Sequence, residues 1–125
     1  GCIINVSSMA GLYGEKNHAL YAATKGAINA LTQAMAVDYG PDGIRCVAVC
    51  PSTVATPNSE RAILSSPDAA QLTALRQSLS PLGFVATPAQ VAAVVAFLAS
   101  PAAAYINGAL VPVSGGSECG YGIKY

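Results

Sequence analysis

Two short apolar runs, separated by a long helical stretch, constrain the fold of this chain more than any other feature. The first run covers residues 1–7 and the second covers residues 44–49, and both are rich in β-branched side chains. Between them, residues 19–39 are mostly good helix formers without a proline. Two strands joined through a helix run parallel in one sheet, so the sequence predicts a βαβ unit. Strands this apolar are typical of a sheet that is covered on both faces.

A second helix and a third strand extend this unit. Thr87 to Gln90 has the form of a capping box, with Pro88 at the first helical position, and the helix is predicted to end near Ala99. Asn107 and Gly108 then form a turn into a strand at residues 109–113. The predicted fold class is therefore α/β, with three parallel strands and flanking helices.

Ser8, Tyr21 and Lys25 form a candidate catalytic group. Ser8 follows the first strand directly, at the end of the sheet where open α/β proteins bind their ligands. Tyr21 and Lys25 are four residues apart, which puts them on one face of the helix. A positive charge one turn away favours ionisation of a tyrosine. Tyr21 is therefore predicted to exchange a proton with an alcohol or carbonyl oxygen that Ser8 holds.

With these residues in place, the chain resembles the classical short-chain dehydrogenases/reductases. The resemblance covers nearly all of the chain and rests on residues 3–8, Gly11, residues 21–27, Ile44-Arg45, residues 51–56, Pro81-Leu82-Gly83 and Gly115-Gly116. It implies the C-terminal half of a Rossmann-type, doubly wound parallel sheet. It also implies an NAD(P)-dependent oxidoreductase that interconverts an alcohol and a ketone or aldehyde, with Ser8, Tyr21 and Lys25 as its catalytic residues.

The resemblance further implies cofactor contacts after the second strand. Family members usually read Pro-Gly-x-x-x-Thr there, and this chain reads Pro51-Ser52-Thr53-Val54-Ala55-Thr56. The implied cofactor-binding residues are Tyr21, Lys25, Pro51, Ser52, Val54 and Thr56. Ser52 stands in place of the usual glycine, so its Cβ could crowd the nicotinamide ring.

No glycine-rich turn between a strand and a helix is present to hold a pyrophosphate. Residues 1–125 are therefore expected to be the C-terminal part of a single NAD(P)-binding domain, with the N-terminal cofactor-binding half absent. The choice between NAD and NADP depends on that half and stays open. So does the role of the glycine- and tyrosine-rich tail at 118–125, which either contacts a neighbouring subunit or frays.

Segment 57–80 is implied by the resemblance to be a lid over the substrate. Within it, Ser66 is predicted to cap a helix that starts at Pro67. Arg61 and Arg76 are interpreted as solvated charges, with contact to an anionic substrate as the alternative.

Helix 19–39 is apolar nearly all round, which predicts burial on more than one side. The resemblance implies that this helix forms the interface of a homo-oligomer. Gly40 is predicted to end the helix in a left-handed conformation, followed by Pro41.

Charge and composition argue against several classes of partner. Six basic and six acidic residues cancel and no basic run occurs, so neither nucleic acid nor an anionic membrane is expected as a partner. No apolar stretch reaches the ~18–20 residues of a membrane span, and no charged, cleavable leader precedes the first strand. No Cys-x-x-Cys pair or histidine cluster suggests a metal site. The four cysteines are interpreted as buried or partly buried free thiols in a reducing cytoplasm.

Two other functions remain open at this level. The chain could be a truncated, non-catalytic remnant that docks through its first strand and helix 19–39. It could also be a serine hydrolase using Ser8 and His18, although no Gly-x-Ser-x-Gly elbow surrounds Ser8. His18 lies in a polar loop without an acidic partner at helical spacing, and is interpreted as a solvated residue or a peripheral substrate contact.

Overall fold

The computed structural model describes residues 1–119 as a three-stranded parallel sheet flanked by helices. The strands are β1 (Cys2–Val6), β2 (Arg45–Pro51) and β3 (Leu110–Val113), in that order across the sheet. The helices are α1 (Ala19–Tyr39), α2 (Pro57–Leu64), α3 (Ala69–Ser78) and α4 (Pro88–Ala99). Both strand pairs are parallel, which confirms the α/β prediction. Most of the predicted tail lies outside the described residues.

Helices cover both faces of the sheet, as the alternation of side chains along β1 shows. The amide of Asn5 donates a hydrogen bond to Thr32 Oγ1 of α1 at 2.9 Å. The preceding residue, Ile4, packs instead on the apolar cluster that contains Leu98 of α4. Successive residues of a strand point to opposite faces, so α1 and α4 lie on opposite sides of the sheet.

Strand β2 is the most deeply buried element because it lies between two strands and beneath two helices. Its residues from Cys46 to Cys50 are fully buried. The cluster on the α4 side consists of Val47, Val49, Leu98 and Ala103. Burial of this apolar run on both faces explains why the sequence signal for β2 is continuous rather than alternating.

Helix α1 has the predicted bounds, but the backbone conformation that follows its last residue differs from the prediction. Gly40 has a helical conformation (φ −53°, ψ −47°), so the prediction of a left-handed glycine at this position is wrong. A 3-10 turn over Gly40–Asp42 follows, and the left-handed residue is Gly43 with φ +72°. The chain stays helical past residue 40 because Pro41 fits the first turn of a 3-10 helix, where no amide donor is needed.

The outer face of α1 is exposed in this single chain, and its burial against a second subunit stays a prediction. Its three buried residues share one face, and they are Asn29, Thr32 and Ala36. On the outer face, Leu20 is 86% exposed and Val37 is 75% exposed. Nothing in residues 1–119 packs over these two side chains.

Segment 57–80 contains two short helices, of which the sequence predicted only one. Helix α2 begins at Pro57 behind a capping box formed by Thr56 and Ser59. Neither α2 nor α3 contains a buried residue.

The predicted start of the second helix in this segment is wrong. Helix α3 begins at Ala69, with Asp68 rather than Ser66 at the N-cap position. Ser66 Oγ instead accepts a hydrogen bond from the Asp68 amide at 3.2 Å, inside the turn between the helices. The serine side chain therefore stabilises the turn and not the helix.

Helix α4 begins as predicted. Thr87 Oγ1 accepts a hydrogen bond from the Gln90 amide at 3.3 Å, and Gln90 Oε1 accepts one from the Thr87 amide at 2.8 Å. The predicted turn before β3 also forms, with Gly108 in the left-handed conformation at φ +67°.

All four cysteines are free thiols. Cys46 and Cys50 are buried and Cys2 is partly buried, as predicted, but Cys119 is exposed. None of the helices described within residues 1–119 combines the length and apolar character that a membrane crossing needs.

Candidate active site

Ser8 lies where β1 ends and begins a short 3-10 turn, Met9–Gly11. Its Oγ accepts a hydrogen bond from the Ala10 amide at 3.2 Å. A serine hydroxyl has one proton of its own, which this contact leaves free to be donated to a ligand oxygen. The turn therefore holds Ser8 as a donor at the carboxyl end of the sheet.

The loop that carries Ser8 is docked tightly on α1. A Cβ placed on Gly11 would lie 2.7 Å from the carbonyl carbon of Lys25, so only glycine fits at this contact. Asn29, which is buried, donates to the Gly11 carbonyl at 2.9 Å. The Ser7 hydroxyl donates to the Lys25 carbonyl at 3.1 Å. These three contacts fix the position of Ser8 relative to the helix.

Tyr21 and Lys25 lie one turn apart on α1, as predicted. The Lys25 ammonium is 5.7 Å from the centre of the Tyr21 ring, which is within the range of a cation–π contact. Lys25 Nζ also donates to the carbonyl of Val6, the last residue of β1, at 3.0 Å. The ammonium thus lies between the tyrosine ring and the end of the strand that leads to Ser8. Tyr21 itself is 45% exposed and accessible from solvent.

A cleft of about 390 Å³ opens beyond the carboxyl ends of β1 and β2. Ser8 lines it from one side, Ser52 and Thr53 from another, and Leu79 borders it from the end of α3. Small-molecule sites typically measure about 300–1,000 Å³. The structure thus brings Ser8 and Ser52 into one cleft, whereas Tyr21 and Lys25 are not part of its lining.

The other residues of the 51–56 segment have different environments. Pro51 pairs with Val113 of β3, and the Ser52 amide donates to the Val113 carbonyl at 3.2 Å. Val54 forms a bridge with Ala86. These contacts hold the segment against β3 and the loop before α4, at the same end of the sheet as Ser8.

The Thr56 hydroxyl, predicted as a cofactor contact, takes part in the cap of α2. Its Oγ1 accepts a hydrogen bond from the Ser59 amide at 3.2 Å and lies 3.1 Å from Ser59 Oγ. A hydrogen bond from this hydroxyl to a cofactor would replace the bond to Ser59 Oγ.

His18 is the residue just before α1, and no hydrogen bond joins it to Ser8 within residues 1–119. Its Nδ1 lies 3.1 Å from the Lys16 carbonyl and 3.6 Å from a carboxylate oxygen of Glu15, three residues earlier. The expectation that it lacks an acidic partner at helical spacing is therefore wrong. Its ring meets Tyr21 edge-on, with 6.1 Å between the ring centres. A Ser8–His18 pair for hydrolysis is not formed in this arrangement.

The sequence analysis missed one functional candidate and misinterpreted another. Asn29 is four residues beyond Lys25, so the spacing of Tyr21, Lys25 and Asn29 could have placed it on the same stripe of α1. Arg76 was interpreted as a solvated charge. Its side chain is only 14% exposed and pairs with Glu60, so that interpretation is wrong.

Cys50 is fully buried on the α1 side of the sheet. Burial raises the pKa of the Cys50 thiol above its ordinary value, and a hydrogen bond with Ser7 opposes this rise. The Cys50 sulfur also lies 3.9 Å from Asn29 Oδ1. Residues 1–119 contain no group of three or more histidine, cysteine or carboxylate side chains arranged to hold a metal.

Comparison with known proteins places this geometry in a family. A family model described as enoyl-(acyl carrier protein) reductase matches residues 1–118. The meso-2,3-butanediol dehydrogenase of Serratia marcescens is 43% identical over 122 residues, which are 98% of this chain and 46% of the relative. The inactive 2-(S)-hydroxypropyl-CoM dehydrogenase 2 of Xanthobacter autotrophicus is 40% identical over 93% of this chain and 50% of the relative.

Comparison with solved structures leads to the same family. An oxidoreductase of the short-chain dehydrogenase/reductase family from Burkholderia thailandensis superposes with a TM-score of 0.85 at 37% identity, covering 96% of this chain and 45% of that one. The chain spans about half the length of the relatives that it matches, at 46% and 50%. The family match along residues 1–118, together with the fold, shows that this chain belongs to the short-chain dehydrogenase/reductase family.

Proposed function

We propose that residues 1–125 are the catalytic, C-terminal part of an NAD(P)-dependent oxidoreductase that interconverts an alcohol and a ketone or aldehyde. The observation that carries this proposal is the position of the Lys25 ammonium, 5.7 Å from the Tyr21 ring centre and 3.0 Å from the Val6 carbonyl. It links the helix that bears Tyr21 to the strand end that bears Ser8.

Each of the three residues has a separate role in the proposed reaction. The Ser8 hydroxyl donates a hydrogen bond to the substrate oxygen and holds it in place. Tyr21 gives its phenolic proton to that oxygen during reduction and takes a proton from the alcohol during oxidation. Lys25 stabilises the phenolate that remains, because its positive charge lies one turn away. The bound nicotinamide supplies or accepts the hydride.

The donor set around Lys25 fits a nicotinamide cofactor. An ammonium has three protons, and the bond to the Val6 carbonyl uses one. Two remain for acceptors such as the hydroxyls of the nicotinamide ribose. Pro51, Ser52, Val54 and Thr56 would then border the nicotinamide from the β2 side, with Ser52 already facing the cleft that Ser8 lines.

The open edge of β1 supports the existence of a further half of the domain. Within residues 1–119, β1 pairs with β2 only, so one row of its backbone groups has no strand beside it. Such an edge is normally covered or paired. We propose that an N-terminal half supplies the neighbouring strand and the glycine-rich turn for the pyrophosphate, and that it sets the preference for NAD or NADP.

The exposed face of α1 supports a homo-oligomer. Leu20, Leu31 and Val37 are all more than half exposed, and Ala23 and Ala27 lie among them. Small side chains on this face would let the same helix of a second copy approach closely.

The free thiols support the proposal of a cytoplasmic location, where cysteines stay reduced.

Two experiments test the proposal in sequence. The first is to read the coding DNA upstream of the Gly1 codon in frame, where we expect a strand, a glycine-rich turn and a helix. The second is to assay the encoded full-length protein with NAD and NADP against vicinal diols, sugars and cyclic alcohols. Nicotinamide-dependent turnover of at least one alcohol is the expected result.

Replacing Tyr21 by Phe tests the chemistry itself. Tyr21→Phe removes only the hydroxyl, so the full-length variant should keep its circular dichroism spectrum and melting temperature. Its turnover should fall by at least about a hundredfold, the lower range of general acid–base contributions. A Tyr21→Phe enzyme that keeps wild-type turnover would contradict the mechanism.

The alternative is a non-catalytic remnant that acts by docking on other subunits. An inactive dehydrogenase among the relatives, 40% identical to this chain, supports keeping it. Under this alternative, the upstream DNA would encode no cofactor-binding half, and the purified protein would show no turnover with either nicotinamide, yet would still assemble through β1 and α1.

A further inference from the structure

Arg76 of α3 has three polar partners outside its own helix. Its Nη1 donates to Glu60 Oε1 of α2 at 2.6 Å. Its Nη2 donates to the carbonyl of Val54 at 3.2 Å and lies 3.5 Å from Ser59 Oγ. One planar guanidinium therefore joins α3 both to α2 and to the segment that leaves β2.

The Val54 carbonyl is a point where several contacts meet. It accepts hydrogen bonds from the Thr56 amide at 2.9 Å and from the Ser59 hydroxyl at 3.0 Å, in addition to Arg76. The next amide, that of Ala55, donates to the Ala86 carbonyl at 2.8 Å. Removal of Arg76 would take away a charged donor at this carbonyl, the one found among residues 1–119, and charge-assisted hydrogen bonds are the stronger kind.

These contacts carry unusual weight because segment 57–80 has little packing of its own. No residue of α2 or α3 is buried. Arg76, by contrast, has a side chain only 14% exposed, and it lines a cavity of about 260 Å³ beneath the segment. Glu60 already compensates its charge, which argues against Arg76 as a receptor for an anionic substrate.

We propose that Arg76 is a positioning residue that ties the lid segment 57–80 to the backbone at Val54. The lid and the segment proposed to border the nicotinamide would then adopt one arrangement together. This inference rests on the proposed function for the roles of the two segments, but the tie itself is a property of the chain.

The test compares four versions of the full-length protein. Arg76→Met removes all three contacts and keeps an apolar stem. Arg76→Lys keeps a positive charge that can pair with Glu60, but it lacks the second guanidinium nitrogen, Nη2, which donates to the Val54 carbonyl. Arg61→Met is the matched control, because Arg61 lies next to Glu60 on α2, is exposed and makes no side-chain hydrogen bond or ion pair in the described part of the chain. Wild type is the reference.

The first measurement is hydrogen exchange of the cofactor-free proteins, read in peptides covering residues 52–60 and 69–79. Arg76→Met should exchange faster in both peptides, by about tenfold for the loss of a charge-assisted hydrogen bond. Arg76→Lys should exchange faster at 52–60, where Ala55 and Thr56 report, and stay near wild type at 69–79. Arg61→Met should match wild type in both.

The second measurement separates kcat from KM. Arg76→Met should raise the KM for the nicotinamide cofactor about tenfold and lower kcat much less, with partial rescue by Lys. Faster exchange confined to 69–79 in Arg76→Met, or equal exchange in Arg76→Met and Arg61→Met, would overturn the proposal. If Arg76→Met unfolds altogether, the proposal is tested by Arg76→Lys alone, and unchanged hydrogen exchange of that variant at residues 52–60 would overturn it.

Failure of this inference is distinguishable from failure of the proposed function. A wild-type protein without nicotinamide-dependent turnover would refute the proposed function, and the hydrogen-exchange data would still test whether Arg76 ties the lid to Val54. An active wild type whose Arg76 variants exchange normally would refute the tie alone.

Discussion

The sheet with its Ser8 loop and the lid segment 57–80 are held in place by different kinds of contact. The sheet buries Val47, Val49 and Leu98 almost completely. The Ser8 loop approaches α1 so closely that Gly11 has no room for a Cβ. In the lid segment, by contrast, helices α2 and α3 have no buried residue, and polar contacts at Arg76 join them to the rest of the chain.

The difference matches what each region has to do in the proposed reaction. A proton transfer needs Ser8, Tyr21 and Lys25 at fixed separations, so many mutually supporting contacts suit that region. A segment that admits substrate has to open at small cost, which favours few buried apolar contacts. The structure therefore predicts that substitutions in the two regions differ sharply in their effect on stability.

The largest expected effect comes from trimming leucines in the two regions. Leu98→Ala removes a side chain that is 1% exposed, and should lower the free energy of unfolding by about 2–5 kcal/mol. Leu75→Ala makes the same chemical change on α3, where the side chain is 55% exposed, and should cost no more than about 0.5 kcal/mol. Urea unfolding of the full-length protein measures both. Equal losses of unfolding free energy in Leu98→Ala and Leu75→Ala would contradict the proposed difference between the two regions.

A smaller effect is expected from substituting glycines in the loop that follows Ser8. In Gly11→Ala, the new methyl group would lie 2.7 Å from a backbone carbon of Lys25, so the loop has to move away from α1. We expect a loss of about 1–3 kcal/mol in unfolding free energy, together with reduced turnover, because Ser8 moves with the loop.

Gly14→Ala is the matched control, because a Cβ at Gly14 meets nothing within 4 Å. Its stability should equal that of wild type. A Gly11→Ala protein as stable as Gly14→Ala would show that the loop does not need the close approach to Lys25.

The smallest effect concerns pH and the buried thiol of Cys50. Because burial raises its pKa, the folded protein keeps this proton at pH values where the unfolded chain loses it. The resulting contribution to stability is complete below the ordinary thiol pKa of 9.0 and decreases as the pH rises through the raised pKa. Denaturant titrations at several pH values should show this decrease in wild type and a shallower one in Cys50→Ala. An identical pH dependence in both proteins would contradict it.

Much of the fold could be predicted because its signals are local. The apolar runs gave all three strands, and the capping box at Thr87 gave the start of α4 without error. The spacing of Tyr21 and Lys25 gave their common helix face. The errors at Gly40 and Ser66 arose where a proline fits either of two adjacent turns, and the local sequence does not discriminate between them.

The functional contacts between distant segments could not be predicted in the same way. Asn29 is eighteen residues from Gly11, whose carbonyl it binds, and Arg76 is twenty-two residues from Val54. A buried polar side chain needs a hydrogen-bond partner, but the local sequence does not indicate which backbone carbonyl the fold will bring close to it.

The sequence by itself determined the α/β class, the three strands with α1 and α4 between them, and the helix that carries Tyr21 and Lys25, because periodicity, turns and caps act over a few residues. Only the tertiary structure decided that Lys25 binds the end of β1, that Asn29 holds the Ser8 loop and that Arg76 joins the lid to Val54. Each of these contacts depends on how helices pack on the sheet, and that packing is settled by the whole chain at once.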